Sequence, residues 1–286
     1  MGAADIVPGV SGGTIALISG IYEEFVNSLK SFSSVIPVLK NKGFKAAWKH
    51  LNGEFLSFLF FGIALSFISL VQGIKYALEH FPVLVWSFFF GLVLASCYYV
   101  AKQVEKWNME SILGLILGAA GIYLITKLGP AETSAELWFV FLSGMIAICA
   151  MILPGISGAF ILVLLGKYKF IIESISELKM DVILVFSIGC GVGLLSFSHL
   201  LSFMLKKYHH LTIALLSGFM IGSLNKIWPW KETLKWGTDR HGEKIPVLEE
   251  NILPGLNQLW IPLLFGLIGF TLIVLLEKWA AQKETS

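Results

Sequence analysis

Two short stretches carry residue types able to hold an anion. The first is Asp5-Ile6-Val7-Pro8-Gly9-Val10-Ser11-Gly12-Gly13-Thr14, and the second is Leu153-Pro154-Gly155-Ile156-Ser157-Gly158-Ala159. Proline lacks an N–H and resists a helix interior, while glycine lets the backbone turn through unusual dihedrals. An apolar helix carrying Pro-Gly-x-Ser-Gly must therefore stop, turn and restart. The restart exposes N–H groups at the positive end of a helix dipole, beside serine and threonine hydroxyls. Such donors suit a phosphate or another anion. The candidate substrate-binding residues are Pro8, Gly9, Ser11, Gly12, Gly13 and Thr14, with Pro154, Gly155, Ser157 and Gly158. Asp5 and Glu23 are acidic and unsuited to binding an anion directly. They are read as backbone caps or as carriers of a coupling H+ or Na+. The residues suggest no catalytic group, metal site or cofactor.

The two stretches lie 146 residues apart and stay in register. At that offset Pro8 meets Pro154, Gly9 meets Gly155, Ser11 meets Ser157, Gly12 meets Gly158, Gly20 meets Gly166 and Tyr22 meets Tyr168. The later spans echo as well. Gly62 meets Gly189 and Gly91 meets Gly218 at an offset of 127, and Gly118 meets Gly266 at 148. A duplicated unit explains this order. The bland alternative for either stretch is a packing kink of small residues.

The surroundings are those of a membrane protein. Of 286 residues 56% are hydrophobic and only 14% charged, with a mean hydropathy of +0.78, too apolar for a soluble core. A net charge of +2 with a single arginine, Arg240, argues against nucleic acid. Cys97, Cys149 and Cys190 sit in apolar stretches and read as packing residues. No basic region that would open a cleavable signal is evident at the start.

The expected fold is an all-α polytopic membrane protein, one integral membrane domain of two inverted repeats. Each repeat is a re-entrant broken-helix hairpin plus three transmembrane helices. The first covers 1–128, with the motif at 3–22, a polar segment at 23–53 and helices at about 54–74, 83–101 and 110–126. The second covers 129–286, with the motif at 137–168, helices at about 181–205, 211–225 and 258–277, and a polar loop at 226–257. Six full crossings follow. In the polar loop, Trp228, Trp230 and Trp236 suggest an interfacial anchor, and 237–242 reads as an exposed turn.

Length favours the hairpin. As one helix, 137–166 would run about 45 Å against a hydrocarbon core of about 30 Å. The 21 Lys and Arg residues then divide 11 to 10 between the faces, against 15 to 6 if the broken helices span, and the positive-inside rule prefers the latter. By the 146-residue offset the first hairpin lacks most of its descending leg. Either that leg is short or the natural frame is longer.

The run Gly2-Ala3-Ala4-Asp5-Ile6-Val7-Pro8-Gly9-Val10-Ser11-Gly12-Gly13-Thr14, followed by Gly20-Ile21-Tyr22-Glu23, resembles the signature of the PopT family of polyprenyl-phosphate transporters. The resemblance extends through the second Pro-Gly-Ile-Ser-Gly and a late Leu-Glu-Glu-Asn-Ile-Leu-Pro-Gly at 248–255. It implies return of undecaprenyl phosphate across the bacterial cytoplasmic membrane for reuse in cell-envelope synthesis, and a fold with two re-entrant elements. The partners it implies are that lipid and the surrounding membrane. Two other classes fit parts of the pattern. Broken helices would also serve a carrier of small anions or an ion-coupled transporter. A membrane phosphatase would need an Arg, Lys and His constellation at one face, and none is seen. Two further readings concern single residues: Lys167 as the nearest cation able to reach in from an edge or, in preference, a snorkelling surface lysine, and His199 as a titrating residue within a span or, in preference, a hydrogen-bonded core histidine.

Overall fold

The computed structural model describes residues 1–5, 11–131, 133, 134, 136–238 and 244–284. The chain opens with a single turn, α1 (Gly2–Asp5), and a short helix, α2 (Gly12–Ile18). Two helices follow in the polar segment, α3 (Tyr22–Ser31) and α4 (Val35–His50), and α4 bends at Gly43, where φ is +78°. Long helices come next: α5 (Gly53–His80), α6 (Pro82–Lys102) and α7 (Met109–Lys127). Pro82 stands at the first helical position, where its missing N–H costs nothing, and the Asn108 side chain caps α7 through the N–H of Ser111. The second half repeats the order with α8 (Leu137–Ile152), α9 (Gly158–Leu164), α10 (Tyr168–Ser176), α11 (Met180–Lys207) and α12 (His209–Ser223). Strands β1 (Lys231–Thr238) and β2 (Lys244–Asn251) precede the last helix, α13 (Trp260–Glu284).

Element lengths recur at the offsets read from the sequence. Both α2 and α9 have 7 residues and start 146 apart, and both α5 and α11 have 28 residues and start 127 apart. The chain turns leave the same way. Gly20 and Gly166 have φ of +72° and +62°. Their followers, Ile21 and Lys167, donate back to Ala16 O and Leu162 O, the same left-handed helix stop twice.

Among the described residues five helices are long and apolar enough to cross a membrane: α5, α6, α7, α11 and α13 up to Lys278. The expected sixth crossing, α12, has only 15 residues and ends at Ser223. Its partner is α7, and the two run in the same direction. Gly114 faces Leu211, Gly118 faces the Leu215 carbonyl and Gly222 faces the Ala119 carbonyl. Small residues four apart on each helix let the backbones approach this closely. Likewise α6 and α13 pack through Gly91 and Gly269, where an added Cβ would overlap the Gly266 and Phe88 carbonyls. In the third pair Gly144 and Gly189 bring α8 against α11. In the first repeat α1 packs on α5, with Gly2 against Ile63 and Ser66. That matches Ile148 against Gly193 in the second.

The stretch 137–166 does not run on in one direction. Ala131 N–H donates to Leu164 O at 2.8 Å and Thr133 Oγ1 to Leu165 O at 2.5 Å, so the start of α8 and the end of α9 are tied together. Lys167 belongs to this tie and corrects the surface reading. It is buried, donates from Nζ to Thr133 O at 3.2 Å and lies over the Phe139 and Phe170 rings. His199 is hydrogen-bonded as expected but exposed, between Leu195 O and Ser33 Oγ.

One part of the all-α expectation is corrected. The polar loop 226–257 holds an antiparallel two-stranded sheet, with Lys231 opposite Asn251 and Glu232 opposite Glu250. Thr233, Trp236, Ile245 and Val247 are strand formers, and this segment is too charged to enter lipid as helix. Trp228 joins the hairpin to the helices by donating Nε1–H to Ile252 O at 3.0 Å. The Asp239-Arg240-His241 cluster lies outside the described residues.

Candidate functional site

The segments that flank the two motifs meet. At the first, Ser11 stands in extended conformation before α2 and its hydroxyl works twice. It accepts from Gly13 N–H at 3.1 Å and donates to Leu153 O at 3.1 Å, across the repeat boundary. Asp5 Oδ1 accepts from Gly12 N–H at 2.6 Å. Of the two roles considered for Asp5, it fills the capping one here. Thr14, fully buried, accepts at Oγ1 from Gly155 N–H at 3.0 Å. Tyr22, also buried, donates to Ile152 O at 3.1 Å.

These bonds have one physical cause. Breaking a helix orphans carbonyls at the end of its first half and N–H groups at the start of its second. The carbonyls of Ile152 and Leu153 are satisfied by Tyr22 and Ser11 from the other half of the chain. The N–H groups of Gly12 and Gly13 are satisfied by Asp5 and Ser11 from their own.

The second restart is different. Ser157 precedes α9 at φ −99° and ψ 130°, but its side chain makes no cap. Residue 151, the counterpart of Asp5, is methionine and exposed. Ser157 and Gly158 are half-buried and Ala159 is exposed, whereas Ser11 to Thr14 are all buried. Pro154 is buried, and Gly155 turns the chain at φ +83° with Phe219 O and Ser223 Oγ each 3.0 Å from where its Cβ would stand. Beside Leu153 lies a small apolar cavity of about 120 Å³, walled by Phe197, Leu201, Leu216 and Phe219.

Most of the residues named from sequence thus converge. Ser11, Gly12, Gly13 and Thr14 meet Pro154 and Gly155, with Ser157 and Gly158 at the restart of α9. Pro8 and Gly9 lie outside the described residues. Glu23 is not at the breaks. Its carboxylate pairs with His209 Nδ1 at 3.2 Å, half-exposed, at the start of α12. Tyr22 is the participant that chemistry-led reading left out of the site. Its sequence signals were identity with Tyr168 at the 146-residue offset and its place in the run Gly20-Ile21-Tyr22-Glu23. Among the described residues no group of three or more His, Cys, Asp or Glu could hold a metal ion.

Comparison with known proteins bears on this geometry. The family model described as undecaprenyl phosphate translocase-like matches residues 1–245. The chain belongs to that family. Two curated relatives agree with the translocase-like assignment. A polyprenyl-phosphate transporter of Vibrio cholerae serotype O1 is 44% identical, over 99% of this chain and 94% of that protein. A polyprenyl-phosphate transporter of Staphylococcus aureus is 30% identical, over 80% of this chain and 83% of that protein. No solved structure matches. Apolar helices and family together make this a multi-pass membrane protein.

Proposed function

We propose that this translocase-like chain carries a polyprenyl phosphate, undecaprenyl phosphate above all, across the cytoplasmic membrane so that the lipid carrier can be reused in envelope synthesis. It acts as a transporter and not as an enzyme. The single observation that carries this reading is the meeting of the two breaks, Ser11 to Leu153 O and Thr14 to Gly155 N–H. A phosphomonoester bears about −1.5 to −2 charges at neutral pH and cannot enter hydrocarbon unaided. Fixed N–H and hydroxyl donors at the midplane would replace its water. In the described conformation the restart at Ser157 to Phe160 is the free one, and Asp5 occupies the equivalent place at α2. Exchange of Asp5 for phosphate at α2, with H+ or Na+ as counter-charge on the carboxylate, would serve the opposite-facing state. The tail stays in lipid.

The reading includes two inverted repeats with re-entrant hairpins. The shared direction of α7 and α12 supports it. A broken helix that crossed the membrane would put α12 antiparallel to α7. Asn225 Nδ2 donates to Thr126 Oγ1 at 2.6 Å, so both helices end at one face. Cysteine labelling checks it in a background without Cys97, Cys149 and Cys190. Leu128→Cys and Leu178→Cys are expected to label from the same face, and Lys42→Cys from the other. Labelling of the first two from opposite faces would mean that the second motif spans.

The function is tested with purified protein in liposomes carrying labelled undecaprenyl phosphate on one leaflet. Leaflet exchange well above that of protein-free liposomes is expected. No exchange, with release of inorganic phosphate, would make it a phosphatase. No exchange, with flux of a small anion, would favour the other carrier class.

A further inference from the structure

At the face where α7 and α12 end, a polar pocket of about 230 Å³ adjoins the β-hairpin. Its walls include Lys127, Asn225, Lys226, Lys231, Glu249 and Asn251. Three lysines, Lys127, Lys226 and Lys231, stand against two carboxylates, Glu249 and Glu250. The balance is worse than the count. Lys226 and Lys231 share one oxygen, Glu249 Oε2, at 3.5 and 3.7 Å, both long for a charge-assisted bond. Lys231 is nearly enclosed, with 8% of its side chain exposed. Its Nζ lies 4.1 Å from the Trp86 ring centroid. Burial pushes its ammonium down to about 8, although Glu249 pulls it up. Two partly neutralised ammoniums side by side, with the Asn225 and Asn251 amides at the rim, have unused capacity for an anion with several oxygens.

The same chain segment walls a second space. Trp228, Pro229 and Trp230, immediately before Lys231, line a groove of about 330 Å³ between α6 and α13. The rest of its wall is mostly apolar and includes Phe90, Leu94, Leu263 and Leu267. Ser87, 3% exposed, also lines it, and its buried hydroxyl has no hydrogen-bond partner among the described residues. The polar pocket and the apolar groove are therefore neighbours along the chain twice: Lys231 of the pocket follows Trp230 of the groove, and Ser87 of the groove follows the Trp86 ring that lies under Lys231. Lys226 in turn lies over the ring of Phe160, in the first turn of α9, at 5.3 Å. The pocket thus reaches toward the free restart of the second broken helix.

We propose that this face is a landing site for a lipid monophosphate, with the phosphate between Lys226 and Lys231 and the chain in the groove between α6 and α13. An anionic head joined to an apolar chain matches a cationic pocket joined to an apolar groove. Neither part by itself would select such a molecule. The site lies outside the broken-helix motifs. It rests on the transport reading for the choice of lipid only. From it the head passes over Phe160 to the amides at Ser157 to Phe160. Glu249 holds the two lysines until a phosphate replaces it.

The test is photocrosslinking in nanodiscs with a polyprenyl monophosphate carrying a diazirine on its chain, read by peptide mapping. In the unaltered protein the label is expected on α6 near Phe90 and on α13 near Leu263. The double variant Lys226→Gln/Lys231→Gln should lose at least ten-fold of that label. Glu249→Gln should gain two- to five-fold, because the competing carboxylate is gone, and misfolding cannot produce a gain. Leu263→Trp, which fills the groove, should also lose label. Equal labelling by the corresponding alcohol, without phosphate, would reduce the groove to a lipid-facing surface and overturn the site. So would unchanged labelling in both the double variant and Glu249→Gln. Failure of the unaltered protein to exchange lipid in liposomes, with this labelling pattern intact, would defeat the transport reading and leave the site standing.

Discussion

Ser157→Val is expected to remove most lipid exchange at an unchanged amount of folded protein, and Ser11→Val to lower the amount of folded protein itself. The sequence gives these two serines one role, at equivalent places in the repeat. In the structure Ser11 is 2% exposed and its hydroxyl both caps α2 and satisfies Leu153 O across the boundary. Valine there leaves a buried N–H and a buried carbonyl unpaired, each at about 1–3 kcal/mol. Ser157 makes no cap, and valine tolerates its extended backbone. What is lost is one donor to the phosphate, about 1.5–3 kcal/mol, or a ten- to hundred-fold drop in exchange. Leaflet exchange of undecaprenyl phosphate and thermal stability in detergent, measured on both variants, separate the two effects. Full exchange by Ser157→Val would remove the phosphate from the restart of α9. Undiminished stability in Ser11→Val would mean that the cross-repeat bonds carry little of the fold.

Gly189→Ala is expected to destabilise the protein severely and Gly62→Ala to leave it unchanged or slightly more stable. These are also equivalent residues in the two halves. A Cβ at Gly189 would overlap the Phe141 carbonyl, where α11 touches α8, and a backbone atom cannot step aside. The helices must separate, at a cost of about 1–3 kcal/mol or more from strain and lost packing. Gly62 faces open space on α5, with nothing within 4 Å of its Cβ position. Alanine there gains about 0.5–1 kcal/mol of helix propensity. Melting followed by loss of the monodisperse peak on size exclusion gives the comparison. Equal melting of the two variants would contradict the close contact of α8 and α11.

Much of this protein was legible in its residues because the membrane and the backbone restrict what each type can do. Apolar runs long enough to cross lipid had to be helices, and the spans starting near 54, 83, 110, 181 and 258 all begin within two residues of observed helices. Pro-Gly-x-Ser-Gly had to break a helix, since proline cannot donate and Gly155 takes φ of +83°. The 146-residue register survived because Gly20 and Gly166 make the same left-handed stop, which few other residues tolerate. Which groups end up free was not legible. A hydroxyl in sequence is a donor in waiting, and only the approach of Leu153 O commits that of Ser11. The absence of a carboxylate at position 151 gained meaning only once Asp5 stood on Gly12 N–H. Lys167 looked like a surface lysine because hydropathy scores a residue without its neighbours. Thr133 O and the Phe139 and Phe170 rings enclose it only when the segments before α8 and after α9 come together. The β-hairpin escaped notice for the same reason. Its strands carry charges on a short, mixed pattern, and the pairing of Lys231 with Asn251 joins residues twenty apart. Local chemistry fixed where the chain must break and cross. Contacts between distant segments, which no local pattern encodes, decided which donors, ammoniums and apolar walls remain open to a ligand.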